Sequence, residues 1–150
     1  MLAHSFMSDE KQQNSQQPLV LAVEDHDDNL VLMSYALESL GCRFICQTDS
    51  TNTLIVAKEY QPDLIVLDIL LPSISGIEVV RYLKQESLTC EIPVIAVTAL
   101  ASKDDQERIL KAGFDAYISK PYMIEELETV IRRLLCGKLD PQPGFELCKE

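Results

Sequence analysis

Five polar side chains stand where apolar runs end. Leu19-Val20-Leu21-Ala22-Val23 runs into Glu24-Asp25, and Leu64-Ile65-Val66-Leu67 runs into Asp68. Pro93-Val94-Ile95-Ala96-Val97 ends at Thr98, and Ala116-Tyr117-Ile118-Ser119 ends at Lys120. Three carboxylates, a hydroxyl and an amine form a set that can handle a phosphoryl group. Carboxylates gathered at one place repel one another unless a cation joins them. Hard oxygen donors suit Mg²⁺, which is commonly held by one or two carboxylates together with phosphate. Lysine supplies a second positive charge on a long stem. With charge screened in this way, the Asp68 carboxylate could attack phosphorus and form an acyl phosphate. Thr98 could donate a hydrogen bond to a phosphoryl oxygen. The chemistry is phosphoryl transfer by positioning and charge neutralisation.

For these residues to meet, the apolar runs must lie side by side. Leu64 to Leu67 is an unbroken apolar run after Pro62-Asp63 and reads as a strand buried on both faces. Arg43-Phe44-Ile45-Cys46-Gln47 is a further strand. Helices fall between the strands. Leu30, Met33, Leu37 and Leu40 recur every three or four residues, with Asp27 or Asp28 as the expected cap and Gly41 as the stop. A weaker helix is predicted from about Thr51 to Tyr60, capped by Asp49-Ser50. After the loop Ser73-Ile74-Ser75-Gly76, Ile77, Val80 and Leu83 mark the inner face of the next helix. Ser102, three residues before Asp105, opens another helix that ends at Gly113. Ile124, Leu127, Ile131 and Leu134 line the last. Five strands alternating with five helices predict an α/β fold with a parallel sheet covered on both faces. In the doubly wound, flavodoxin-like order 2-1-3-4-5, the ligand crevice opens between strands one and three, which sets Glu24 and Asp25 beside Asp68.

Size and charge restrict the function further. The chain has 150 residues and a net charge of -11. The charge argues against a general nucleic-acid surface, which needs Lys and Arg. No apolar run approaches the length of a membrane span, and no signal peptide opens the chain. The five cysteines, Cys42, Cys46, Cys90, Cys136 and Cys148, form no zinc-type pairs. A reducing cytoplasmic setting is expected, with Cys42 and Cys46 as packing residues. A flexible Gln-rich tail is expected over residues 1–18, one domain over 19–136, and a short tail over 137–150.

The chain resembles a receiver domain of a two-component response regulator, of the CheY-like superfamily. The matching residues are Val23-Glu24-Asp25, Leu67-Asp68 with Pro72, Val97-Thr98-Ala99, and Tyr117 with Ser119-Lys120-Pro121, in this order. The resemblance implies that Asp68 takes a phosphoryl group from a sensor histidine kinase or a histidine phosphotransfer protein. It implies Mg²⁺ held directly by Asp25, through water by Glu24, and by Asp68 and the backbone carbonyl of Leu70. Thr98 and Lys120 would bind the phosphoryl group, and Thr98 and Tyr117 would form the switch pair. The Lys120-Pro121 bond is usually cis in the family. Such a module catalyses its own phosphorylation without turning over a separate substrate. It acts through a downstream protein partner that the sequence does not name, either alone or within a longer regulator.

Other readings of the same residues are weaker. A pseudo-receiver would keep the fold without phosphorylation, against the complete set Glu24, Asp25, Asp68, Thr98 and Lys120. A Mg²⁺-dependent phosphohydrolase is disfavoured by the apolar Leu70 and Leu100. Asp25, Asp27 and Asn29 begin like a calcium loop, but Leu30 and Ala36 stand where Gly and Glu are required. A flavin-binding relative of the fold would want a phosphate cradle where this chain is acidic. His26 is expected to be a solvated loop residue.

Overall fold

The computed structural model describes residues 17–100 and 102–139. Cys148 and most of the two expected tails lie outside the described residues. The elements run β1 (Leu19–Val23), α1 (Asp27–Ser39), β2 (Arg43–Gln47), α2 (Thr53–Tyr60), β3 (Leu64–Asp68), α3 (Gly76–Gln85), β4 (Val94–Thr98), α4 (Lys103–Ala112), β5 (Ala116–Ser119) and α5 (Ile124–Leu134). The sheet has the order β2-β1-β3-β4-β5 and every pairing is parallel. This is the 2-1-3-4-5 arrangement expected from the alternation of elements.

The apolar strands serve both faces. Leu21, Val23, Ile65, Leu67, Val94 and Ala96 pack with Val79, Val80, Leu83 and Ile109 of α3 and α4. Their neighbours Val20, Ala22, Leu64, Val66, Ile95 and Val97 pack with Met33, Leu37, Leu127 and Ile131 of α1 and α5. Successive strand residues point to opposite faces, so a strand between two helix layers must be apolar throughout. No helix among the described residues is long and apolar enough to cross a membrane.

The helix ends correct several expectations. The N-cap of α1 is His26, and Asp27 and Asp28 fall in the first turn. There they complement the positive end of the helix instead of capping it. Gly41 lies just beyond α1 at φ 77, the left-handed position that a side chain disfavours. Helix α2 begins later than expected, with Asn52 as its N-cap. Asp49 accepts from the Thr51 amide at 2.8 Å, and the Ser50 hydroxyl joins the Ile74 backbone through two hydrogen bonds. Ser50 therefore ties the β2–α2 connection to the loop after β3. Ser102 caps α4 as predicted, accepting from the Asp105 amide at 3.0 Å.

Gly76 opens α3 instead of belonging to the loop before it. A Cβ there would lie 2.7 Å from both the Asp68 carbonyl oxygen and the Ile69 Cα. These are backbone atoms and cannot turn aside. Gly76→Ala is therefore expected to destabilise the chain by about 1–3 kcal/mol. Urea unfolding checks this, and a loss below about 0.5 kcal/mol would mean that α3 can slide off the end of β3 at little cost.

Cys42 and Cys46 are buried, as expected of packing residues, and Cys136 is exposed. Burial pushes the Cys46 thiol up to about 11. Burial, helped by the Asp63 charge, pushes Cys42 up to about 12. The thiolate is the nucleophile. In native protein at pH 8, iodoacetamide should modify Cys136 well before either buried thiol. Peptide mass mapping showing equal rates would contradict this packing.

Candidate functional site

The carboxyl ends of β1, β3, β4 and β5 lie along one edge of the sheet, and the loops after them carry the polar set. Glu24 leaves β1 fully buried, and its backbone amide donates to Gln47 O at 3.0 Å. Asp68 is the last residue of β3 and is 3% exposed. Thr98 ends β4 fully buried. Lys120 follows β5, and its amide donates to Thr98 O at 2.8 Å, which clamps the end of β5 to that of β4.

Lys120 spans the crevice. Its Nζ donates to Asp68 Oδ2 at 3.0 Å and to Glu24 Oε2 at 3.5 Å. It also lies 3.3 Å from Glu24 Oε1, an ion-pair distance without hydrogen-bond alignment. The amine of β5 thus reaches past β4 to the ends of β3 and β1. The Leu70 amide turns back to donate to Asp68 Oδ1 at 3.0 Å. The Leu100 amide donates to Thr98 Oγ1 at 2.9 Å. Both loops are held against the residues from which they emerge.

Two buried carboxylates compete for one ammonium, and the titrations follow from that. Burial drives the Asp68 carboxyl above the ordinary carboxylate range, and the Glu24 charge adds to it. Hydrogen bonds from Lys120 and the Leu70 amide oppose the rise without cancelling it. For Lys120, burial works against the charge, but the hydrogen bond and charge of Asp68, with Glu24 behind them, outweigh it. The amine is held above the ordinary lysine range. Tyr122, two residues on, is pushed up to about 12 by burial and by the Glu24 and Asp68 charges.

The site departs from the sequence reading at His26. Its ring is 69% exposed, as a loop residue should be. Yet its Nδ1 is 3.3 Å from both Glu24 Oε2 and Asp25 Oδ1. The His26 amide and the Asn29 side chain also donate to Glu24 Oε2, at 3.1 and 3.3 Å. The sequence signal was the adjacency of His26 to the acidic pair. Among the described residues, Glu24, Asp25 and His26 each offer a ligand atom within 4.8 Å of the other two. Asp68, an expected ligand, is instead linked to Glu24 through Lys120. Asp25 is partly exposed, but its Oδ1 atom is buried and makes no hydrogen bond. Buried carboxylate oxygens without hydrogen-bond donors are costly, and a divalent cation would satisfy them. The donor set fits Mg²⁺.

Tyr117 lies opposite Ala96 in the register, two pairs before Thr98 and Ser119. Alternation puts the Thr98 and Tyr117 side chains on the same face of the sheet. Tyr117 is partly buried there against the α2–α3–α4 layer. The Lys120-Pro121 peptide bond is cis.

Comparison with known proteins agrees with this fold. Residues 20–132 match the model of the response regulator receiver domain. The polar-differentiation response regulator DivK of Brucella anthropi is 42% identical over 116 residues, covering 77% of this chain and 94% of that protein. The receiver domain of a sensor histidine kinase from Pseudomonas aeruginosa has a TM-score of 0.73 at 30% identity, covering 79% of this chain and 98% of that one. That structure has a magnesium ion coordinated in its active-site cleft. The chemotaxis protein CheY4 of Vibrio cholerae shares the fold, with a TM-score of 0.74 at 24% identity over 79% of this chain and 99% of that one.

Proposed function

The chain belongs to the response regulator receiver domain family, and on that premise we propose that Asp68 is its phosphoacceptor. The donor is the phosphohistidine of a sensor histidine kinase or a histidine phosphotransfer protein. The observation that carries the reading is Lys120 Nζ, 3.0 Å from Asp68 Oδ2 and 3.3 Å from Glu24 Oε1. It supports a single reaction centre built from three separate strand ends.

In the reaction, an Asp68 carboxylate oxygen attacks phosphorus. The new P–O bond forms as the P–N bond to the donor imidazole breaks, and the imidazole nitrogen keeps the electron pair. Lys120 neutralises charge on the phosphoryl oxygens, and the Thr98 hydroxyl donates to one of them. Asp25, Asp68 and the Leu70 carbonyl would hold Mg²⁺, with Glu24 behind them. The bound ion supplies further charge neutralisation for phosphoryl transfer. The magnesium in the Pseudomonas aeruginosa receiver supports that choice.

Phosphorylation would draw Thr98 toward the phosphoryl group and let Tyr117 turn inward, altering the surface around α4, β5 and α5. A downstream protein partner would read that surface. We assign this unit to residues 19–136, place it in the cytoplasm, and expect no turnover of a separate substrate. Incubation with Mg²⁺ and acetyl phosphate should add one phosphoryl group at Asp68, and none in Asp68→Ala. An unlabelled wild-type chain would refute the phosphoacceptor and leave a binding module. Rapid phosphate release would indicate a hydrolase.

A further inference from the structure

Building on the divalent-ion reading of the acidic pocket, we propose that His26 is an additional ligand there and gives the site selective affinity for borderline first-row ions such as Ni²⁺ and Zn²⁺. The position of the ring is set by the backbone. His26 caps α1 in an extended conformation, φ -101 and ψ 124, and its amide donates to Glu24 Oε2 at 3.1 Å. This folds the residue over the carboxylates that precede it.

The separations are those of ligands around one ion. Nδ1 stands 3.3 Å from Glu24 Oε2 and 3.3 Å from Asp25 Oδ1, and no pair among the three donor atoms exceeds 4.8 Å. Two donors bound about 2.1 Å from a metal lie roughly 3.0 Å apart in octahedral geometry and roughly 3.4 Å apart in tetrahedral geometry. A charge-assisted hydrogen bond between nitrogen and a carboxylate is shorter, about 2.7–2.9 Å. The contact to Glu24 Oε2 is a long hydrogen bond at 3.3 Å, and the same spacing suits joint coordination of an ion that would replace it.

A second observation points the same way. The buried Asp25 Oδ1 that faces the imidazole makes no hydrogen bond, and the fully buried Glu24 has one ammonium, Lys120, to offset its charge. The exposed side of the ring leaves a path for the ion from solvent. Mg²⁺ takes oxygen ligands and gains little from an imidazole. Ni²⁺, Cu²⁺ and Zn²⁺ accept imidazole readily, so His26 adds affinity for ions of this class and not for Mg²⁺.

Any nitrogen–oxygen site ranks Ni²⁺ above Mg²⁺, so the test is the effect of His26 on each ion separately. Titration calorimetry of the full chain with NiCl₂ and with MgCl₂ should show His26→Asn weakening Ni²⁺ by about tenfold or more and Mg²⁺ by less than about twofold. Pulsed electron paramagnetic resonance of the Cu²⁺-loaded chain should show coupling to an imidazole nitrogen that vanishes in the variant. Equal losses for both ions would make His26 a support for the carboxylates and overturn the proposal. Unchanged Ni²⁺ affinity, or no nitrogen coupling, would also overturn it. Acetyl phosphate labelling of wild-type Asp68 tests the receiver reading separately. A labelled chain whose Ni²⁺ affinity ignores His26→Asn loses only this inference.

Discussion

Asp68→Asn is expected to unfold at a higher temperature than the wild-type chain while losing all uptake of a phosphoryl group. Burial and the Glu24 charge raise the Asp68 carboxyl above its ordinary value of 3.8. A carboxyl that is harder to ionise in the folded chain than in the unfolded one opposes folding once it is charged. Its stabilising contribution is complete below the unfolded value and is lost as pH rises through the raised folded value. Asparagine keeps the shape and removes that charge. Lys120 retains Glu24, 3.3 Å away, so no ammonium is stranded. The gain at pH 7 should be on the order of 1 kcal/mol, a few degrees in Tm. The gap should narrow as pH falls toward the unfolded carboxylate value, because wild-type Asp68 is then protonated too. Millimolar Mg²⁺ should narrow it as well, by binding the wild-type pocket. Calorimetry between pH 4 and pH 8 checks all of this. A variant no more stable than wild type at pH 7 would show that the Lys120 contact more than offsets the burial of Asp68.

The acyl phosphate, once formed, should persist for minutes or longer. Hydrolysis needs a water placed in line with the bond to be broken. The resemblance to the family implies that the side chains two positions beyond Asp68 and Thr98, Leu70 and Leu100, influence how that water arrives. Their amides are fixed on Asp68 Oδ1 and Thr98 Oγ1, which anchors both loops beside the reaction centre. Neither leucine can donate or accept a hydrogen bond. Leu70 is also 56% exposed, so a polar side chain would fit there without repacking the core. Leu70→Gln should shorten the lifetime by about tenfold, less than the roughly 10²–10⁴ of a positioned acid or base, because an amide only orients the water. The decay of labelled protein after removal of acetyl phosphate measures both values. Wild-type loss within seconds, or an unchanged rate in the variant, would show that water reaches phosphorus by a route these leucines do not control.

Together the two results would describe a site that gives up folding stability to hold charge for chemistry. Glu24 and Asp68 are both nearly inaccessible to solvent and share one amine. Such a cluster is poor architecture by the standards of a core and is retained where function requires it.

Much of this was readable along the chain. Apolar runs at Leu19–Val23, Leu64–Leu67 and Val94–Val97 can only be strands buried on two faces. Alternating them with amphipathic helices leaves few topologies. Once strands are parallel, their last residues share an edge, so Glu24, Asp68, Thr98 and Lys120 had to be neighbours. Side-chain contacts and backbone direction could not be read in the same way. The long stem of Lys120 was expected to cross the intervening strand, but that its amine pairs with both Asp68 and Glu24 depends on how the crevice packs. Nothing in the spacing says that Gly76 packs on the Asp68 carbonyl, because the approach of α3 is set by Val79, Val80 and Leu83 seating in a core gathered from distant strands. The cap of α1 shows the same limit. Composition favoured Asp27 or Asp28 as the capping residue, but the closed crevice put His26 there, its amide on a buried Glu24 oxygen and its ring against both acids. Patterns of residue type report which groups are buried and on what period. The angle at which one element meets another, and hence which polar atoms touch, emerges only when the whole core packs together.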